Sequence, residues 1–100
     1  MKPQHTEFSA LIVAAGRGSR AGGGLPKQYR HLGSEPMLAR TIRALAAHPG
    51  CAVIQVVIHP DDAELYATSA SGVPRLLPHV MGGDTRRDSV LAGLEALAEH

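Results

Sequence analysis

The sequence has one cysteine, no tryptophan, one phenylalanine and two tyrosines in 100 residues. The single thiol, Cys51, excludes an internal disulfide framework and suits a reducing compartment, with Cys51 read as a small residue where a strand begins. With so few rings, the core has to be filled by Ala, Val, Leu and Ile, which suits helices packed closely on a sheet. No apolar run approaches the ~20 residues needed to cross a bilayer. Residues 1–8 are polar and lack the apolar segment of a secretory signal. Charge of one sign is scarce as well: the formal net charge is +1, which argues against a broad basic surface for nucleic acid. The six histidines show no His-x-x-x-His spacing that would hold a metal. These absences predict a soluble cytoplasmic protein with no nucleic-acid partner and no membrane association. A small anion held by a few well-placed cations is left open.

What is present is an alternation of two patterns. Residues 8–15 form a short apolar run ending in glycine, too short for an isolated helix and apolar enough for a strand buried on both faces. A long loop over 16–33 follows, holding Gly16, Gly18, Gly22, Gly23, Gly24, Pro26 and Gly33, and loops of that length are usually functional or disordered. Residues 36–48 place Leu38, Thr41 (through its methyl), Ile42 and Leu45 on one helical stripe. Pro36 stands in its first turn and Pro49-Gly50 stops it. Residues 52–58 read as a second buried strand. His59-Pro60-Asp61-Asp62 opens another helix with Asp61 as its N-cap, and His59 reads as a strand-end residue. That helix ends near Ser71-Gly72. A third strand is expected over 74–80, then a tight turn at Gly82-Gly83-Asp84. A last helix over 86–100 carries Val90, Leu94 and Leu97 on one face, with Leu91 and Ala98 beside it.

Strands alternating with helices predict βαβ crossovers and a mostly parallel sheet in a Rossmann-like, three-layer α/β sandwich. Ligands of such sheets bind beyond the carboxyl ends of the strands. Two glycine-rich loops, one after the first strand and one after the third, are predicted to meet there. The last helix has no Gly or Pro stop signal before residue 100. The expectation is a tail over 1–8 and, over 9–100, the N-terminal half of a domain that continues.

In the first loop, glycines let a ligand approach main-chain N–H groups closely, and successive N–H groups in one concavity bind phosphate oxygens. Arg17, Arg20 and Lys27 add positive charge. A Walker A loop would end in Gly-Lys-Ser/Thr, which is missing. A dinucleotide fingerprint is met in spacing by Gly16, Gly18 and Ala21. However, Gly22-Gly23-Gly24-Leu25-Pro26 is incompatible with the helix it must open, and Glu35 does not end a second strand.

The stretch Leu11-Ile-Val-Ala-Ala-Gly-Arg-Gly-Ser-Arg20, followed by Leu25-Pro-Lys-Gln-Tyr29, resembles the signature of the 2-C-methyl-D-erythritol 4-phosphate cytidylyltransferase family. Gly82-Gly-Asp-Thr-Arg-Arg-Asp-Ser-Val90 resembles a second signature of that family. The resemblance implies a fold of the nucleotide-diphospho-sugar transferase type. It implies transfer of CMP from CTP to 2-C-methyl-D-erythritol 4-phosphate in the non-mevalonate isoprenoid pathway, with release of pyrophosphate. It assigns Arg20 and Lys27 to catalysis, and Ala14, Ala15, Gly16, Arg17, Gly18, Gly82, Asp84 and Ser89 to CTP. It also implies Mg²⁺ held by an aspartate beyond residue 100, with no metal ligand within the chain, a homodimer at full length, and in some members fusion to a cyclodiphosphate synthase. A residue-level reading also leaves Arg17 as a solvated loop residue and Asp88 as a helix-capping acid. Competing functions are a cytidylyltransferase for another polyol phosphate such as ribitol 5-phosphate, and a non-catalytic nucleotide-binding module.

Overall fold

A computed structural model of the chain describes residues 7–15, 29, 31–32 and 35–100, without the side chains of 31, 32 and 35. In chain order the elements are β1 (Phe8–Ala14), β2 (His31–Leu32), β3 (Glu35–Pro36), α1 (Met37–Ala46), β4 (Cys51–Ile58), α2 (Ala63–Ala70), β5 (Val80–Met81) and α3 (Arg86–Ala98). A 3-10 turn over Pro60–Asp62 precedes α2. The main sheet has the order β1-β4-β5 and is parallel throughout, while β2 and β3 form a separate antiparallel pair.

The period of two in the strands sorts the side chains into two layers. Ala10, Ile12 and Ala14 of β1 join Ile54, Val56 and Ile58 of β4 in one cluster with Leu38, Ile42 and Ala46 of α1 and Tyr66 of α2. On the opposite face, Leu11 and Val57 lie against Gly93 of α3. Helices therefore cover both faces, which gives the expected three layers. It is also why β4 reads as an almost unbroken apolar run. Ile42, Ile54, Val56, Val57 and Ile58 have no solvent exposure. Each such side chain contributes about 1.5–3 kcal/mol by its burial, so the central strand is the spine of the fold. Cys51 is the buried first residue of β4, in agreement with its reading as a small strand-start residue.

Several elements differ in detail from the sequence expectation. The buried line of α1 is Leu38, Ala39, Ile42 and Ala46, and Pro36 is its N-cap rather than a first-turn residue. Thr41 is exposed and its hydroxyl donates to Met37 O at 3.2 Å, because a polar oxygen next to the methyl finds a partner one turn back. Asp61 is not the cap of the helix after β4. The His59 ring caps the 3-10 turn, Nδ1 accepting from Asp61 N–H at 3.0 Å, and α2 starts only at Ala63.

The third strand is reduced to Val80–Met81, preceded by one isolated bridge from Leu76 to Ile54. Between those two contacts the edge advances four residues while β4 advances three, from Ile54 to Val57, so one residue is extra. Pro78 falls in that gap and has no N–H to give a ladder. The buried amide of Gln55 donates instead to Pro78 O at 2.9 Å.

The last helix also turns differently. Its buried residues are Ser89 and Gly93, whereas Leu91 and Leu94 are about half exposed. A Cβ at position 93 would strike Leu11 Cδ1 and come within 2.8 Å of Val57 Cγ2. The closest approach of helix to sheet therefore runs over small residues, and the larger leucines are displaced to its flanks. Arg75 ties the lower edge together. It sits at φ 65, in the left-handed region, and its Nη1 donates to Ala46 O at 2.8 Å. The guanidinium thus satisfies a carbonyl at the negative end of α1.

Tyr66 is buried, packs edge-on against the His79 ring, and its hydroxyl has no hydrogen-bond partner among the described residues. Burial pushes its pKa from 10.0 up to about 12. A raised pKa means that the neutral form is preferred in the fold. That contribution is complete below about pH 10 and is lost as the pH rises toward 12. Tyr66→Phe is therefore expected to match or exceed the parent in stability at pH 7, and to lose less between pH 7 and 11. Urea midpoints at both pH values check this, and an equal alkaline loss in the two proteins contradicts it.

Candidate nucleotide site

The carboxyl ends of the three parallel strands open onto one cleft of about 350 Å³. Val13 and Ala15 line it from the end of β1, His59 from the end of β4, and Gly83, Asp84, Thr85, Arg86 and Ser89 from the segment joining β5 to α3. Gly82 carries the sheet ladder to its end, its N–H donating to Ile58 O at 2.7 Å.

The turn that follows is built by close approach. A Cβ at Gly82 would stand 2.5 Å from both Ala15 Cβ and Ser89 Oγ, and one at Gly83 would stand 2.5 Å from Asp88 Cβ. Only glycine allows the end of β1 and the start of α3 to come together here. Ser89 is 2 % exposed and its Oγ accepts from Gly83 N–H at 3.2 Å. The hydroxyl thus holds the turn and faces the cleft with its remaining capacity.

Thr85 starts α3, its Oγ1 accepting from Asp88 N–H at 3.0 Å. Asp88 lies in the first turn, where a carboxylate favours the positive helix end, and it does not line the cleft. Asp88 is therefore an acid of the first turn and not the helix cap, since the capping oxygen belongs to Thr85.

The structure brings together Ala15, Gly82, Asp84 and Ser89 from the sequence-derived set. Ala14 packs its methyl into the α1/α2 core and is not among the residues lining the cleft. Gly16, Arg17, Gly18, Arg20 and Lys27 lie outside the described residues. Tyr29, which closes the Pro-Lys-Gln-Tyr motif, is 2 % exposed and belongs to the hydrophobic core, so that end of the motif serves packing.

Val13, His59, Thr85 and Arg86 also line the cleft and are not among the residues singled out from the sequence. The signal for His59 was present, since it directly follows a predicted parallel strand at the end where ligands bind. Arg86 and Thr85 could not be separated from ordinary helix-start residues without the tertiary contact. The electrostatics are mixed: the first residue of a 13-residue helix, Arg86, lines the cleft together with one carboxylate residue, Asp84.

A three-layer α/β domain with a parallel sheet and a cleft at its strand ends defines the class of open α/β parallel-sheet proteins. Within it, the family model of the 2-C-methyl-D-erythritol 4-phosphate cytidylyltransferase matches residues 8–100, and the chain belongs to that family. It is 53% identical over 93 residues to a bifunctional enzyme IspD/IspF of Rhodospirillum rubrum, covering 93% of this chain and 24% of that protein. It is 46% identical over 99 residues to the protein of the same name from Bradyrhizobium diazoefficiens, covering 99% and 24%. Among solved structures, a 4-diphosphocytidyl-2C-methyl-D-erythritol synthase from Anaerococcus prevotii superposes with a TM-score of 0.72 at 27% identity, over 92% of this chain and 38% of that one. The chain thus spans about a quarter of the length of the curated relatives it matches.

The contact of Gly82 with Ala15 and Ser89 gives a direct test. Gly82→Ala is expected to lower stability by about 1–3 kcal/mol through overpacking. Chemical denaturation checks it. A parent-like midpoint would refute the close approach.

Proposed function

We propose that this chain forms the nucleotide-binding part of a 2-C-methyl-D-erythritol 4-phosphate cytidylyltransferase in isoprenoid synthesis. The observation that carries the reading is the convergence of Ala15, the last described residue before the glycine loop, with Asp84 and Ser89 on one cleft, held together by the close approach of Gly82 to Ala15 and Ser89. The sugar's phosphate oxygen attacks the α-phosphorus of CTP. A new phosphorus–oxygen bond forms, the bond between the α- and β-phosphates breaks, and pyrophosphate leaves with the electron pair.

Charge grows on the non-bridging oxygens and on the leaving group, so catalysis is positioning and charge stabilisation. The loop amides after Ala15 cradle the phosphates. Arg20 offers a planar fork and Lys27 a mobile point charge to the transferring group. The turn at Gly82–Gly83 lets main chain approach the base edge, and Asp84 and Ser89 supply an acceptor and a hydroxyl that tell cytosine from other bases.

The family resemblance implies Mg²⁺. Among the described residues no three His, Cys, Asp or Glu side chains converge as a metal site, and Asp84 is the one carboxylate lining the cleft. These residues alone do not make a Mg²⁺ site, and the chemistry they supply is binding, orientation and charge. No helix among the described residues is long and apolar enough to cross a membrane.

In competition binding to the full-length polypeptide, CTP is expected to displace a cytidine probe well below the concentration at which ATP does. Equal affinity sinks the cytidine assignment. Arg20→Ala and Lys27→Ala are each expected to lower kcat by about 10²–10³ with a smaller change in CTP affinity, since the transition state carries more charge near them. Steady-state kinetics beside direct CTP binding decide the matter. Near-normal kcat makes these residues surface charges, and a loss confined to binding removes the transition-state role.

A further inference from the structure

Three of the polar side chains lining the cleft are already engaged. His59 Nδ1 accepts from Asp61 N–H, Thr85 Oγ1 from Asp88 N–H and Ser89 Oγ from Gly83 N–H. Asp84 and Arg86 differ from them. Both are exposed and line the cleft, and among the described residues neither side chain makes a hydrogen bond or an ion pair, with the other or with anything else. Thr85 between them is extended, at φ -122 and ψ 164, and the residues on either side of an extended residue share a face. Arg87, one residue further on, does not line the cleft.

A carboxylate and a guanidinium side by side carry almost no net charge. The carboxylate repels a phosphate, so the pair suits a neutral polar group better. It presents an acceptor beside a planar fork of donors. Cytosine has the complementary edge: N4–H donates, and N3 and O2 accept. We propose that Arg86 reads the base, its fork donating to cytosine N3 and O2 while Asp84 accepts from N4–H. Uracil reverses two of these contacts, since its N3 carries a proton toward the fork and its O4 turns a lone pair toward the carboxylate. The proposal rests on the nucleotide reading given above and adds to it the side chain that rejects uracil.

Arg87 provides the control, with the same charge in the same turn of α3 and no place in the cleft. CTP and UTP are titrated by calorimetry into the full-length parent, Arg86→Met, Arg86→Lys and Arg87→Met. Arg86→Met is expected to bind CTP more weakly and to lose about tenfold of the preference for CTP over UTP, the order that one bidentate contact to a base supplies. Arg86→Lys keeps the charge without the fork and is expected to recover only part of that preference. Arg87→Met is expected to keep all of it. Both nucleotides are titrated into one preparation, so any unfolded fraction cancels in the ratio. Equal losses for CTP and UTP, no loss for either, full recovery by lysine, or the same change in Arg87→Met overturns the role of Arg86 and leaves the nucleotide site standing. A parent that binds UTP as tightly as CTP overturns it too, and one that also binds ATP as tightly overturns the site itself.

Discussion

The parallel pairing of β1 with β4 is the constraint on which the remaining structure depends. Seven consecutive residues of β1 are paired with β4, with one irregularity at its start between Phe8 and Ser9. That register brings Ala14 level with Ile58, so the chain leaves both strands at the same height. The loop after Ala15 and the turn after Ile58 then start side by side. A slip of one residue would exchange the two faces of β1, moving Leu11 into the α1/α2 core and Ile12 against Gly93.

The layers on either side make that register the only tolerable one. The α1/α2 face is filled by branched aliphatic side chains and two tyrosines, and its fit depends on volume. The α3 face works by smallness. Gly93 lets the helix sit on Leu11 and Val57, and Gly82 lets its first turn meet Ala15. Close approach of α3 is what carries Ser89 and Asp84 to the end of β1. The same glycines therefore serve packing along the helix and construction of the cleft at its start.

The cleft shows how little a local motif reveals of what surrounds it. Gly82, Asp84 and Ser89 were legible because they recur in a recognisable string, and Ala15 because it ends a buried strand at glycine. Thr85 and Arg86 stand in the same string, yet their helix-start roles are indistinguishable from site roles until the cleft is seen. His59 is separated by 23 residues from Gly82, and only the central place of β4 brings it to the same cleft as Ala15 and Asp84. Tyr29 is the reverse case, a motif residue whose ring belongs to the core.

By itself the sequence determined the alternation of strand and helix, the buried character of β1 and β4, and the family. These follow from short-range facts: runs of apolar residues too short for helices, glycine and proline at their ends, and strings of residues that chemistry keeps together. Tertiary structure decided what depends on the other face of a contact. It placed α3 on Ser89 and Gly93 rather than on Leu94, because a close-packed sheet admits small residues first. It broke the third strand at Pro78 and gave its ladder to Gln55. It also made His59 part of the cleft, because the order of strands in a sheet is set by long-range pairing that no local pattern encodes.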